Sequence, residues 1–363
     1  MLDLSRYDRI FILTDEQVAS CCLLAFYDVL SHHQSPITNL QSPISNQLSM
    51  ADQLVLPAGE QHKTLASVQR IWDWLLAQHA TRASLLINLG GGVICDLGGF
   101  AAATYMRGID YVNVPTTLLA MVDAASGGKT GFDYGTPLVK NAIGVFAHPV
   151  QTIIEPRLLA TLPPEQILSG YAEMIKHALL QSPEAFGELL DCDLREVTSP
   201  AFGELIRQSI VFKASIVAQD PNDHGIRQAL NFGHTIGHAI EALLLSKCQN
   251  GKITNDKSTN NKCLHGYCVM YGLVAEAYLS HMICGLPAET VSTLSRLMLE
   301  NYGAAPVTCS DYESLLALMQ HDKKNREQGT ITCTLLRSIG QPVTGQPVTP
   351  AQLRESLEYL CSL

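Results

Sequence analysis

The sequence predicts an α/β domain followed by a mostly helical one. Three observations carry this: short apolar runs alternate with glycine-rich turns in the first half, long amphipathic segments begin near residue 163, and a proline-marked break separates them. Arg9–Thr14 (RIFILT), Ser84–Leu89 (SLLINL), Ile109–Val114 (IDYVNV) and Thr152–Ile154 read as strands of a parallel sheet, because a strand covered on both faces is apolar throughout. Between the first two, Leu65–His79 sets Val68, Trp72, Leu75 and Leu76 at helical spacing. Beyond the break at EPRLLATLPP, amphipathic helices are expected over Pro164–Leu180, Ala201–Ala218, Gly233–Leu245, His265–Ile283 and Ala288–Asn301. The expected domains are residues 1–158 and 159–363.

Bulk properties bound the function classes. A chain of 363 residues with 47% hydrophobic composition can bury large cores. A net charge of −10 argues against a general affinity for nucleic acid or anionic membrane, so an anionic ligand would have to be met by particular lysines and arginines. Eleven scattered cysteines without a CxxC pair read as reduced thiols. No window of eighteen apolar residues suggests a membrane span, and the expectation is a soluble cytoplasmic protein.

Two segments look inserted. Gln34–Gln47 repeats QSPI among polar spacers, and Cys248–Lys262 is rich in Asn, Lys and Thr without apolar periodicity; both read as solvated loops. GQPVTGQPVT, Gly340–Thr349, reads as a turn between two short strands or between a strand and the last helix.

The candidate chemistry begins with LNFGHTIGHAIE. His234 and His238 are four residues apart and share one helical face, where two imidazoles can hold a metal or an anion. The strand SLLINL runs into GGGVICDLGGF, Gly90–Phe100, whose glycines either let backbone amides approach a pyrophosphate at a helix N-terminus or form a tight structural turn; the spacing is not GxGxxG. Asp96 within it can bind a ribose or nicotinamide group. In PTTLLAMVDAASGGKTG, Asp123 lies in an apolar run and needs a partner, either a structural one such as Lys129 or a cofactor.

In the helical half, Glu173 and Lys176 are three apart on one face, and the plain expectation is a solvated surface pair. Lys213 lies in the stripe of Ile206, Ile210, Ala214 and Val217; it either snorkels outward or binds a buried anion with Arg227. His265 opens a helix, as a satisfied helix-start residue or, with Glu173 and His234, as part of a two-His, one-carboxylate metal set. Cys263 and Cys268 flank it, but closed thiolate sites usually come as CxxC pairs and leave no open position.

Taken together, GEQHKT (Gly59–Thr64), GGGVICDLGGFAAATYMRG (Gly90–Gly108), TTLLAMVDAASGGKTG (Thr116–Gly131), LVKN (Leu138–Asn141), AEMIK (Ala172–Lys176), DPNDHGIRQALNFGHTIGHAIE (Asp220–Glu241), LHGYCVMYG (Leu264–Gly272) and DKKN (Asp322–Asn325) resemble the 3-dehydroquinate synthase family, in its order and over nearly the whole chain. The chain departs in the length of TGFDYGTPLVKN, in Val139 where glycine is common, and in Cys268 where alanine is usual.

The resemblance implies an N-terminal Rossmann-like NAD-binding domain, a C-terminal helical metal domain and an active site between them. It implies a metal, Zn2+ or alternatively Co2+, on Glu173, His234 and His265. NAD would be lined by Glu60, Lys63, Gly92, Val93, Asp96, Thr116, Thr117, Asp123, Lys129, Lys140 and the Leu158–Thr161 segment. Lys129, Asn141, Asn231 and His238 would hold the substrate phosphate, with Arg107 reaching in from the partner subunit of a homodimer. Lys176, Lys213, Arg227 and one of Lys323 and Lys324 would bind carboxylate and hydroxyls.

The implied reaction is lyase chemistry without net redox. It turns 3-deoxy-D-arabino-heptulosonate 7-phosphate into 3-dehydroquinate and phosphate by transient oxidation, β-elimination, reduction, ring opening and aldol closure. The competing readings are another sugar phosphate cyclase, a metal-dependent polyol dehydrogenase, and a non-catalytic binding protein on the same scaffold.

Overall fold

The computed structural model describes residues 3–32, 52–125, 127–135, 139–220, 223–249, 263–320 and 331–363. The inserted Gln34–Gln47 stretch, all but the first two residues of Cys248–Lys262, and both Lys323 and Lys324 lie outside the described residues. The chain forms two compact units: Met1–Pro163 with Leu194–Ile206, and Pro164–Asp193 with Arg207–Leu363.

In the first unit, β1 (Ile10–Asp15), β2 (Gln53–Leu56), β3 (Leu85–Gly90) and β4 (Asp110–Pro115) are joined through α1 (Glu16–Cys21), α2 (Leu23–His32), α3 (Leu65–Ala77) and α4 (Gly92–Thr104). A hairpin of β5 (Lys129–Tyr134) and β6 (Val139–Phe146) follows, then the short β7 (Gln151–Thr152). The main sheet has the order β2-β1-β3-β4-β7, with every pairing parallel. The chain leaves β1 toward β2 on one side and returns to β3 on the other, so a topological switch point lies between β1 and β3. Open α/β sheets bind ligands at the carboxyl edge of such a point.

Three of the four expected strands are present; of Thr152–Ile154 only Thr152 falls in a strand, the two-residue β7. Strand β3 is buried at each of its six residues. Helix α3 lays Val68, Ile71 and Leu75 against Phe11, Leu13 and Leu86 of the sheet. Of the four residues that defined its expected apolar face, Leu76 is instead exposed. At the helix start, the Thr64 side chain accepts the Ser67 N–H, a cap that fixes where the turn begins.

The second unit is mostly helical. It contains α5 (Pro164–Gln181), α6 (Pro183–Leu190), most of α7 (Pro200–Gln219), α8 (His234–Gln249), α9 (His265–Cys284), α10 (Ala288–Asn301), α11 (Tyr312–Gln320) and α12 (Pro350–Ser362). Helix α9 is buried from Gly266 through Ala277, with no polar face, and packs against α5, α8, α10 and α12.

GQPVTGQPVT is a strand, not a turn. It supplies β9 (Gln341–Val348), antiparallel to β8 (Ile331–Ser338), and only Gly340, at φ +79°, belongs to the bend. The prolines that suggested a turn are tolerated because in a two-stranded sheet both strands are edges.

Candidate functional site

Helix α5 places Glu173 and Lys176 one turn apart, and neither is at the surface: Glu173 is 0% exposed and Lys176 2%. The solvated-pair expectation fails because this stretch of α5 is buried on every side, from Ser169 to Leu180. One Glu173 oxygen pairs with the Lys176 ammonium; the other lies 3.4 Å from His234 Nε2 and 3.6 Å from His265 Nε2. Neither carboxylate oxygen has a well-formed hydrogen bond. Separations of 3.4 and 3.6 Å are long for hydrogen bonds. They suit donors that share one ion, since metal bonds of about 2.0–2.2 Å in a tetrahedron set ligands about 3.3–3.6 Å apart.

Glycines bring the three helices this close. A Cβ on Gly266 of α9 would land on the Ser169 carbonyl of α5, and one on Gly272 would land on the Gly233 carbonyl at the start of α8. A Cβ on Gly237 of α8 would approach the Cys268 carbonyl oxygen of α9 to 2.8 Å. Backbone thus lies against backbone at both crossings, and His234 and His265, each the first residue of its helix, converge on Glu173.

Two further carboxylates hold the histidines. Glu276 of α9, fully buried, accepts the N–H of Gly233 at 2.7 Å and of Ile236 at 3.0 Å, capping the start of α8 from another helix. Glu241 of α8 lies 3.1 Å from His265 Nδ1, while His234 Nδ1 lies 3.2 Å from the Phe232 carbonyl oxygen. Sequence reasoning assigned neither glutamate a role. The one available signal was the position of Glu241, seven residues after His234 and three after His238, on their helical face.

The charges are strongly coupled. Burial by itself would raise the Glu173 pKa, but the Lys176 ammonium, followed by His234, holds the carboxyl well below its usual range. Burial opposes charge on His265 too, yet the Glu241 carboxylate, and after it Glu173, push its pKa up to about 10. His238 stands beside both histidines, its ring centroid 5.0 Å from that of His234 and 5.7 Å from that of His265. Ligand atoms of the three imidazoles lie within 4.8 Å of one another, so the pair read from GHTIGH does meet around one point.

Two more cationic residues of this unit are buried. Lys213 is 6% exposed and Arg227 5%, so the snorkelling expectation for Lys213 is not met. Arg227 and Asn231 occupy the 3-10 turn Ile226–Asn231. The Asp220 carboxylate shapes the approach to that turn, accepting the N–H groups of His224 at 3.0 Å, Gly225 at 2.6 Å and Arg227 at 3.1 Å.

The first unit gathers a second group of the expected residues. Lys63, buried, donates to Asp96 Oδ2 and to Asn141 Oδ1, each at 2.6 Å, and Lys140 pairs with Glu60 at 3.5 Å. Asp133, buried at an irregularity of the β5–β6 ladder, accepts the Asn141 N–H at 2.7 Å and so helps hold Asn141 at φ +49°. Burial raises the Asp96 carboxyl to about 6 against the opposing charge of Lys63. The Lys63 ammonium, disfavoured by burial, is nonetheless raised, because Asp96, Glu60 and Asp133 all act on it.

At the carboxyl edge of the sheet, Gly91 precedes α4, whose first residues are Gly92 and Val93. A Cβ on Gly91 would meet the Thr117 methyl at 3.1 Å, and the Thr117 hydroxyl accepts the Ala120 N–H. The hydroxyls of Thr116 and of Thr14, on β1, are buried without a hydrogen-bond partner. Thr14 went unnoticed in the sequence because nothing around it breaks the RIFILT run. Asp123 is half-buried in a π-helical turn, Ala120–Ala124, and Lys129 is exposed. Leu158 is buried and Thr161 exposed; Cys22 Sγ lies 3.8 Å from both the Leu158 carbonyl oxygen and the Thr161 hydroxyl. Arg107 is exposed, in left-handed backbone at φ +70°.

Solved structures share this architecture. A 2-deoxy-scyllo-inosose synthase complexed with carbaglucose-6-phosphate, NAD+ and Co2+ is 23% identical, with TM-score 0.76, covering 99% of this chain and 92% of that one. A 2-epi-5-epi-valiolone synthase from Streptomyces hygroscopicus with NAD+ and Zn2+ is 24% identical, with TM-score 0.76, covering 98% and 91%. These likenesses define the fold class.

Sequence narrows it further. The 3-dehydroquinate synthase N-terminal family description matches residues 53–169, and the C-terminal one residues 170–325. The 3-dehydroquinate synthase of Parabacteroides distasonis is 42% identical over 354 residues, covering 98% of this chain and 92% of the relative. That of Thermosynechococcus vestitus is 39% identical over 331 residues, covering 89% and 84%. The chain belongs to the 3-dehydroquinate synthase family. Among the described residues no helix is long and apolar enough to cross a membrane.

Proposed function

We propose that the chain carries the family's activity, converting 3-deoxy-D-arabino-heptulosonate 7-phosphate to 3-dehydroquinate and phosphate as a carbon–oxygen lyase. The observation that carries this reading is the buried Glu173 carboxylate with His234 and His265 both aimed at one of its oxygens, in a chain that both family descriptions match. A buried carboxylate oxygen that faces two convergent imidazoles at separations long for hydrogen bonds suits a divalent cation, Zn2+ or Co2+. Unpartnered threonine hydroxyls and a glycine turn at the carboxyl edge of a parallel sheet suit NAD.

A cation held there would polarise a substrate hydroxyl, and bound NAD+ would take up and return one hydride within a single turnover. The protein's own part is electrostatic. Lys176, Lys213 and Arg227 hold fixed positive charge in buried positions, where it stabilises an anionic substrate more strongly than it would in water. His238, beside the metal set and left out of it, would donate to the substrate phosphate, with Asn231 completing the contact. Lys63, Asp96, Glu60 and Lys140 belong to the NAD site.

The family's homodimer, with Arg107 serving the partner subunit, is part of the proposal. It is supported by the exposure of Arg107 and of Tyr134, Ile143 and Phe146 on the β5–β6 hairpin. The test is turnover of purified protein with zinc, catalytic NAD+ and the heptulosonate phosphate. Equal amounts of phosphate and 3-dehydroquinate without NADH accumulation are expected. NADH formed in step with product would favour a dehydrogenase, and no product would overturn the reading.

A further inference from the structure

His265 has two ring nitrogens and a different acidic group at each: Glu173 Oε1 lies 3.6 Å from Nε2, and Glu241 Oε2 lies 3.1 Å from Nδ1. A carboxylate only accepts, so the nitrogen facing Glu241 at hydrogen-bonding distance must carry the proton. A cation that binds this ring displaces the proton from Nε2, leaving the lone pair there, on the side of Glu173. His234 is arranged in the same sense, with its Nδ1 on the Phe232 carbonyl oxygen and its Nε2 toward Glu173. The two anchors differ in one respect: a backbone carbonyl is neutral and cannot be exchanged, whereas Glu241 is charged and belongs to a side chain. It is also buried, with its side chain 7% exposed, and α8 fixes it seven residues along from His234.

We infer that Glu241 is a positioning residue for the metal centre, fixing the tautomer and ring orientation of His265 and adding the negative charge that makes this histidine a stronger ligand. The inference rests on the metal reading above. Glu241 would not touch substrate or cation; it acts through His265.

Metal affinity is the readout. Zinc is titrated into metal-free wild type, Glu241→Ala and Glu241→Gln in competition with a chromophoric chelator, alongside thermal melts of the metal-free proteins. Glu241→Ala should bind zinc about 10- to 100-fold more weakly, the usual effect of losing such an outer partner. Its activity should return toward wild type at saturating zinc, and its metal-free melting point should stay close to wild type. Glu241→Gln can still accept the Nδ1 proton without the charge and should fall between the two.

Wild-type affinity in Glu241→Ala would overturn the inference. So would weakened binding that zinc cannot rescue, accompanied by a lowered metal-free melting point, because that is the signature of a packing role. Should Glu241→Ala fail to fold, Glu241→Gln decides, and wild-type affinity there overturns the inference. If wild type itself binds no zinc, the metal reading has failed instead.

Discussion

Glu276 accepts the Gly233 N–H at 2.7 Å across 43 residues of sequence, so the helix that carries Glu276 also sets where the helix that carries His234 begins. Helices α8 and α9 hold each other reciprocally: Glu276 of α9 caps the start of α8, and Glu241 of α8 binds the first residue of α9. Glu276→Ala would strand two buried N–H groups and leave a void. We expect a loss of about 2–5 kcal/mol in urea unfolding, together with weaker metal binding. An unchanged unfolding midpoint would show that the cap contributes nothing.

Close helix approach makes a second prediction. Gly266→Ala would press a methyl group onto the Ser169 carbonyl and push α5 from α9, separating His265 from Glu173. A loss of about 1–3 kcal/mol is expected from overpacking, with metal affinity falling as well. Gly187 of α6 has nothing within 4 Å of an added Cβ. There alanine should stabilise by roughly 0.5–1 kcal/mol and leave the metal untouched, so the melting point should rise in Gly187→Ala and fall in Gly266→Ala, and metal affinity should fall in Gly266→Ala alone.

The Asp96 carboxyl gives a pH prediction. Burial raises it from 3.8 to about 6 despite Lys63, so the stability it contributes is fully present below pH 3.8 and is lost as pH rises through about 6. In Asp96→Asn that loss is absent. Urea unfolding from pH 4 to 7.5 should show the variant gaining on wild type by roughly 2–3 kcal/mol across this window. Parallel profiles would contradict it.

Asp220 offers a kinetic test. Its three backbone hydrogen bonds shape the turn that leads into Arg227, which is buried and assigned to the substrate anion. Asp220→Ala should raise KM about tenfold or more, in line with loss of an aligned charge, while metal content stays at wild-type level. A change in kcat alone would argue against this role.

Legibility from sequence followed burial and local pattern. Strands β1, β3 and β4 were readable because a strand buried on both faces is one apolar run, and the outer long helices because their apolar stripes repeat, whereas α9, expected to be amphipathic, is buried all round. Strand β2 has four residues behind a polar stretch, and β6 exposes most of its side chains, so neither carries such a run. In β9 the glycine and prolines resembled turn chemistry and concealed a two-edged strand.

The site divided in the same way. The spacing of His234 and His238 was visible, but the union of Glu173, His234 and His265 depends on three helices crossing at glycines, so ligand chemistry could offer it only as one alternative and the family resemblance had to select it. Glu276 was unreadable because an acidic residue in a helix looks the same in sequence whether it faces water or a neighbouring helix, and for Glu241 the shared face with His234 and His238 was the one signal. Lys213 shows the converse: its place in an apolar stripe suggested a lysine reaching outward, and it is buried.

The proposed cation site is Glu173, His234 and His265, with His238 left for substrate, although the three imidazoles also converge. The most direct test is metal content by mass spectrometry of purified wild type, His265→Ala, Glu173→Gln and His238→Ala after equilibration with one equivalent of zinc. The account predicts about one zinc per chain in wild type and His238→Ala, and little in the other two. Loss of zinc from His238→Ala with retention in Glu173→Gln would contradict it and assign the metal to the three histidines.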